Sequence, residues 1–408
     1  MNHSDDWQDF ELLGLDELPE GWKYVPLGGL VDSARGISYG IVQPGSYTEN
    51  GTPIVRVNNL QNGHIIAEDI LKVSPTIEEK YQRTRLRGGE VLLSLVGSLG
   101  QTSVVPHELK GWNVARAVAV IPVLPEISPE WVDFALRSPQ LQHFIWTWAT
   151  TTVQATLNLG DVIRLPIPIP PEKERLAIIE SLGALDDKIE LNGRTNQTLE
   201  SMAQAVFRQW FVENPKNNWE EKSLVEIADF LNGLALQKFP SEGDNYLPVI
   251  KIAQLRTNDT RDADKASTGI PPEYIVEDGD ILFSWSGSLE VVVWCGGKGA
   301  LNQHLFKVTS KRYPKWFYYC WTKHHLPEFQ GIAADKATTM GHIQRHHLSE
   351  SKVLVPSDRE LHEMDTVMSP ILEKIICNEK ESRTLASLRD SLLPKLMRGE
   401  VRVKDVEG

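Results

Sequence analysis

Apolar residues follow two different rhythms along this chain. Short β-branched runs at 54–57, 91–96 and 118–123 are bounded by Gly, Pro and Asn, the pattern of strands in a sheet-rich globular head. Ser128 followed by Pro129 predicts a helix start, Ser at the N-cap and Pro in the first turn, with a counterpart near Pro314. After Pro171 the rhythm changes. Leu176, Ile179, Leu182, Leu185, Ile189, Leu199, Met202 and Val206 recur at steps close to three and four, as on one seam of a long helix. A second seam carries Leu361, Met364, Met368, Ile371, Ile375, Leu385, Leu388 and Leu392. No proline lies between Glu172 and Asn214, and the second stretch holds only Pro370 and Pro394. Each helix is expected to run ~40 residues, roughly 60 Å.

The two rhythms occur twice. Trp22, Leu27, Leu30 and Gly36 recur 197 residues later as Trp219, Leu224, Ile227 and Gly233. Pro53 to Leu60 matches Pro248 to Leu255, Gly89 to Ser94 matches Gly279 to Ser284, and each of the latter is followed by Gly-Ser-Leu (97–99, 287–289). Pro129-x-Trp131 matches Pro314-x-Trp316. From Pro170, which matches Pro356, the offset holds at 186 to the end. Ordered offsets over this much chain define two copies of one module. The expected fold is therefore α+β: a tandem repeat of two globular mixed α/β heads, separated by two long helices that pair as an antiparallel coiled coil about a pseudo-two-fold axis. The expected boundaries are an acidic tail at 1–19, heads at 20–165 and 219–355, and helical regions at 166–218 and 356–408. Asn192 and Asn378 correspond and interrupt both seams, as a polar layer that fixes register would.

Charge alters this picture only once it is divided by region. The net charge of −13 opposes nucleic-acid binding, but six acids and no Lys or Arg sit in residues 1–19. The heads carry 12 basic against 13 acidic residues and 15 against 17, so a basic face on either remains open. The three cysteines, Cys295, Cys320 and Cys377, lack C-x-x-C spacing, which argues against a disulfide framework or zinc site and fits a reducing cytoplasm. No run of 18 apolar residues exists, so no membrane span is expected.

The stretch 185–192 (LDDKIELN), followed by Asn196-x-Thr198-Leu199-Glu200 and Phe207-x2-Trp210-Phe211, resembles the central conserved region of the specificity subunits of type I restriction-modification systems. Leu385-x2-Leu388-Arg389-Asp390-x-Leu392-Leu393-Pro394-Lys395-Leu396 with Gly399-Glu400 resembles their distal region, and Leu18-Pro19-Glu20-Gly21-Trp22 their approach to the first recognition domain. The resemblance implies two target-recognition domains, each reading half of a split double-stranded DNA site. It implies helices that act as a ruler and dock two copies of a methylation (modification) subunit, which carries S-adenosylmethionine and methylates adenine. It also implies a third, restriction and translocation subunit driven by ATP, with Mg. The docking and ruler positions are then Leu185, Ile189, Asn192, Leu199, Phe207, Trp210, Ile371, Ile375, Asn378, Leu385, Leu388 and Leu392. No cofactor is expected on this chain.

Base-edge readout needs Arg, Lys, Asn or Gln on loops beside a rigid sheet. Base-edge candidates in the first head are Arg56, Asn58, Asn59 and Gln61 after one strand. The Gly-Ser turns at Ser98 and Gln101, and at Ser286 and Ser288 in the second head, are placed to bring backbone N–H groups to phosphates. Thr152 and Gln154 precede the helix, and Arg83, Arg85 and Arg87 form a basic cluster suited to phosphate. The second head offers Lys251, Gln254, Arg256, Ser286, Ser288, Lys336, Thr338, His342, Gln344 and Arg345. A solvated loop is the plain alternative at each. Catalytic motifs are missing: Asn214-Pro215-Lys216 and Pro271-Pro272-Glu273-Tyr274 fail the Asn/Asp-Pro-Pro-aromatic pattern of an adenine methyltransferase. Gly296-Gly297-Lys298 lacks Walker spacing. His342 and His346 lie one turn apart without a clear third metal ligand. Two rival readings stay open, an enzyme with duplicated recognition domains and an assembly protein whose heads bind other proteins. The acidic tail, with Trp7 and Phe10, is read as either a disordered tail without function or a segment that docks onto a partner or covers a DNA groove.

Overall fold

Each head is closed by its own two ends. In the first repeat, strand Lys23–Pro26 pairs antiparallel with Pro166–Ile169, directly before the first long helix. In the second, Glu220–Ser223 pairs with Lys352–Val355 in the same way. The structure, a computed structural model, describes residues 15, 17–61, 63–67, 69–151, 155–335 and 341–403. The chain divides into two units: residues 1–186 with 387–408, and residues 187–386. A unit therefore combines one head with part of each long helix.

In the first unit, a four-stranded antiparallel sheet runs in the order Ser38–Tyr39, Val118–Ile121, Val91–Ser94, Thr102–Val104. Beside it, Thr52–Val55 pairs antiparallel with Leu71–Val73 and parallel with Asn113–Val114. Val91 to Leu95 and Val118 to Ile121 are all buried, because both faces of this sheet are covered. Helix Pro129–Arg137 begins with Pro in its first turn, as the sequence predicts, and buries Trp131 completely. The Trp131 indole donates to Pro168 O at 2.8 Å and meets Trp22 edge-on at 6.2 Å, so one aromatic pair ties helix to closing strands. Ile178, Leu182, Leu393, Leu396 and Met397 join this core from the long helices.

The second unit repeats the plan with Asp229–Asn232, Leu305–Thr309, Ile281–Ser284 and Val291–Val293 in its main sheet. Its second sheet is Lys265–Ser267, Tyr246–Ile250, Gly299–Leu301 and Ile275–Val276. One 21-residue helix, Lys315–Asp335, replaces the two shorter helices of the first unit. The repeat match between Gly36 and Gly233 is corrected here. Gly40 and Gly233 occupy the same place: a Cβ would lie 1.9 Å from Val114 O and 2.2 Å from Asn302 O respectively. Each precedes a parallel bridge to the crossing strand, Ile41 to Ala115 and Leu234 to Asn302. Only hydrogen fits, so the offset there is 193 rather than 197.

The long helices are Glu172–Arg208, continued by a π turn at Gln209–Glu213, and Asp358–Met397. Pairing is antiparallel within each unit. In the first, Glu174 meets Arg402 and Asp186 meets Arg389. In the second, Asn192 donates to Ser382 Oγ at 3.2 Å and Asn378 donates to Asn196 Oδ1 at 2.8 Å. Adding 186 to 192 and 196 gives 378 and 382, so these two contacts exchange under the repeat, a local two-fold. Asn192, Asn196 and Asn378 are buried; Glu379 accepts from Asn196 at 2.8 Å and Glu381 from Asn192 at 2.9 Å. The polar layer expected at Asn192 and Asn378 is present, with Asn196 as a third member. The seam itself differs from expectation: Leu176, Met202 and Leu388 are exposed, while Ile178 and Leu372 are buried. Each helix packs against a head as well as its partner, which turns the buried stripe away from a pure coiled-coil seam.

A matching clasp stands at the start of each helix. Glu174 accepts the Trp22 indole N–H at 3.1 Å and an Arg402 N–H at 2.8 Å. Glu360 accepts the Trp219 indole N–H at 3.1 Å and Lys216 Nζ at 2.6 Å. All six residues fall in three pairs related by the repeat: Trp22 with Trp219, Glu174 with Glu360, and Lys216 with Arg402. Between clasp and polar layer the units diverge. The first has an ion network in which Asp186 accepts from Arg137 and Arg389 at 2.7 Å each, and Arg137 also meets Asp133 at 3.3 Å. At the matching places the second carries Leu372, Ala203, Thr322 and Tyr318, beside an apolar cavity of about 560 Å³ lined by Ala203, Phe207, Trp316, Ile371 and Leu372.

Candidate nucleic-acid interface

Three loops that lie far apart in sequence meet at one end of each main sheet, and a single crossing segment joins them. In the first unit, Ala115 N donates to Val55 O at 2.9 Å, Leu95 N to Ala117 O at 2.7 Å, and Leu157 N to Leu95 O at 3.0 Å. The second unit repeats the chain of bonds: Asn302 N to Ile250 O at 3.3 Å, Trp285 N to His304 O at 3.3 Å, and Ile343 N to Trp285 O at 3.0 Å. Bridges Val96 to Thr156 and Ser286 to His342 add to it. Segments 56–61, 96–101 and 155–158 thus share one edge, as do 251–256, 286–290 and 341–345.

The Gly-Ser turn is shaped by a buried serine. Ser94 Oγ donates to Ser98 O at 2.5 Å and accepts from Gln101 N at 2.8 Å; Ser284 Oγ donates to Ser288 O and accepts from Glu290 N, both at 2.7 Å. Gly97 and Gly287 take φ of +81° and +68°, which a side chain would oppose. Ser98 and Ser288 are held outward at this turn, and Gln101 is half-buried.

The other candidates divide by what already holds them. Asn58 and Gln61 are exposed, and the Gln61 amide donates to Asn58 O at 3.1 Å. Asn59 is buried: its Oδ1 accepts from Arg56 N at 3.0 Å and its Nδ2 donates to Ile66 O at 3.1 Å. Gln254 does the equivalent work, accepting from Lys251 N at 3.2 Å. Both amide oxygens build their turns, with Asn59 buried and Gln254 half-buried. Arg56 donates to Asp69 O at 2.5 Å, Lys251 pairs with Asp264, and Arg256 meets Glu290 at 2.8 Å with over half its side chain exposed. Ser286 is buried and within 3.0 Å of His304 Nδ1, while His342 packs edge-on to Trp285. Gln344 and Arg345 are exposed, and the Arg345 guanidinium reaches Phe230 O at 3.4 Å. Thr152, Gln154, Lys336 and Thr338 lie outside the described residues, as does the acidic tail through residue 14.

Arg83 and Arg85 sit elsewhere. They pack near Arg35 and Glu90, which precede the strands at the opposite end of the sheet. Arg85 forms a two-bond pair with buried Glu78 at 2.5 and 2.9 Å. That pair holds the Glu78 carboxyl below its ordinary range, with burial acting the other way and Asn113 assisting. Its charge is already neutralised. Among the helix positions, Phe207 is buried against Trp321, and Trp210 packs on Phe211 and Trp316, so both serve the second core. Asn192, Ile375 and Asn378 are buried; Leu185, Ile189, Leu199, Ile371, Leu385 and Leu392 are half-buried. No group of three metal-ligating side chains occurs among the described residues. No helix there is long and apolar enough to cross a membrane.

The sequence reading missed the crossing segment itself. Arg116 in the first unit and Gln303 with His304 in the second stand between apolar strand residues, at the hub of the three loops. A polar break inside a buried run was the available signal.

The fold defines a tandem-repeat protein whose two heads are each carried on a pair of antiparallel helices. The model of the type I restriction modification DNA specificity domain matches residues 19–201 and again 216–387, and the chain belongs to that family. It is 31% identical over 226 residues to the EcoBI specificity subunit of Escherichia coli, covering 52% of this chain and 48% of that one. Against the MjaIX specificity subunit of Methanocaldococcus jannaschii it is 25% identical over 60% of this chain and 62% of the relative. The chain thus spans about half to three-fifths of these two relatives. The alignment to the EcoKI specificity subunit of E. coli K12, at 26% identity, covers 94% and 90%. The fold is similar to the crystal structure of a type I S subunit from M. genitalium, with a TM-score of 0.58, 16% identity, and coverage of 94% and 97%.

Proposed function

We propose that this chain is the sequence-reading, non-catalytic specificity subunit of a type I restriction-modification complex. Each head reads one half of a bipartite site in double-stranded DNA. The two long helices set the spacing and dock two copies of the methylation subunit, and a restriction and translocation subunit completes the assembly. S-adenosylmethionine, ATP and Mg then belong to those partners. The observation that carries this reading is the duplication of the family's DNA specificity domain, with the same three polar loops converging at the same sheet end in both copies. Loops on a rigid sheet suit base readout, whereas phosphate contacts alone carry no sequence information. A net charge of −13 also fits a subunit that gains DNA affinity from partners. The test is co-expression with the methylation subunit and genome-wide mapping of methylated adenine. One two-part motif is expected. Methylation without a motif, or methyl transfer by the isolated chain, overturns the proposal.

A further inference from the structure

We infer that Arg116 reads a guanine in the half-site of the first head, with Tyr39 setting the plane of its guanidinium; this rests on the DNA-reading function proposed above. Arg116 is exposed between two buried strand segments, Asn113–Val114 and Val118–Ile121. Its backbone is pinned: Arg116 N donates to Ile41 O at 2.9 Å, and its neighbours Ala115 and Ala117 bond to Val55 and Leu95. The fold therefore fixes where the side chain starts without using the side chain. Among the described residues Arg116 forms no ion pair, in contrast to Arg85, Arg137 and Arg256. Its guanidinium carbon lies 6.0 Å from the centre of the Tyr39 ring, which is 45% exposed although it belongs to a sheet strand. A cation about 6 Å from an aromatic face is drawn toward it, and a planar guanidinium fork is preorganised for paired hydrogen bonds. Such a fork matches the O6 and N7 acceptors of guanine in the major groove.

The second head supports this by contrast. Its backbone frame is the same, but Gln303 stands where Arg116 does and Asn232 where Tyr39 does. Asn232 Oδ1 accepts the Trp285 indole N–H at 2.9 Å, and Gln303 Nε2 approaches His304 at 3.4 Å. An amide in place of a guanidinium suits adenine rather than guanine. One frame with exchanged polar groups is what two heads with different targets require.

The test uses the full chain in complex with its methylation subunit and a DNA library randomised in both half-sites. Wild type is expected to demand guanine at one position of the first half-site. Arg116→Gln is expected to lose that demand by roughly ten- to hundredfold and shift it toward adenine, with the second half-site unchanged. Arg116→Lys keeps the charge and is expected to relax the same position; it also serves if the glutamine variant melts early. Guanine preference undiminished from wild type in either folded variant overturns the inference. So does uniform weakening over all sequences with a salt slope reduced by about one, the mark of a phosphate contact. A wild-type complex that selects no sequence fails the function itself and is distinguishable from both.

Discussion

Asp186→Ala should be far more damaging than removal of the whole network to which Asp186 belongs. Asp186 accepts from Arg137 and Arg389 at 2.7 Å, and all three side chains are only 13–14% exposed. Arg137 is further held by Asp133, 6% exposed at 3.3 Å. Burial and these contacts compete. Burial is the largest influence on the Asp186 carboxyl and raises it, yet Arg137 and Arg389 together leave it below its ordinary value. At an effective dielectric of about 20, each close pair is worth about 4 kcal/mol before desolvation and the repulsion between the two guanidiniums. Truncating Asp186 leaves buried Arg137 with Asp133 alone and buried Arg389 with only the half-exposed Asp390 at 2.7 Å, for a net cost of about 3–5 kcal/mol. Installing what the second unit carries at these places (Asp186→Leu, Arg389→Ala, Arg137→Thr and Asp133→Tyr) removes the charges together. It should cost less than about 2 kcal/mol, since buried ion networks gain little over apolar packing. Urea titration followed by tryptophan fluorescence is the assay, because Trp22 and Trp131 lie in the same core. If Asp186→Ala shifts stability by under about 1 kcal/mol, or the fourfold replacement is as damaging as the single one, the reasoning is refuted.

Four further outcomes are expected. The Glu360 carboxyl is drawn down to about 2 from 4.5, first by Lys216 and then by the Ser357 hydroxyl. Its folded value is depressed, so its contribution is complete above about pH 4.5 and lost as pH falls toward 2. With Lys216 60% exposed, screening reduces that contribution to about 1–2 kcal/mol. The urea midpoints of wild type and Glu360→Gln should differ at neutral pH and converge near pH ~2. Gly233→Ala pushes a methyl to 2.2 Å from Asn302 O and should cost about 1–3 kcal/mol. Gly331→Ala, with open space in helix Lys315–Asp335, should stabilise by about 0.5–1 kcal/mol, both read by thermal melting. Asn378→Ala takes from buried Asn196 Oδ1 its donor at 2.8 Å and should cost about 1–3 kcal/mol by chemical denaturation.

The repeat, the α+β class, the long helices and the polar layer were legible because each leaves a linear trace: an offset, a period, an interruption of that period. What depended on a third body was not. Leu176 fits the seam period yet faces solvent, since the head, and not only the partner helix, decides which stripe is buried. Asn59 and Gln254 have the chemistry of base readers, but a turn consumes them. Arg85 looked like a phosphate ligand until Glu78, seven residues earlier, was found against it. Arg116 was passed over because its meaning comes from Val55, Leu95 and Tyr39, which are adjacent only in space.

The closing strands give each head a property of its own. Lys23 sits opposite Ile169, and Glu220 opposite Val355, so everything between enters and leaves through one two-stranded neck. A replacement insert that keeps those short strands, the tryptophan ahead of each and its glutamate can close on the same helices whatever its loops carry. If the heads read DNA as proposed, they are exchangeable cassettes: exchange at the two necks would bring in a new target while leaving the helices and the other head intact.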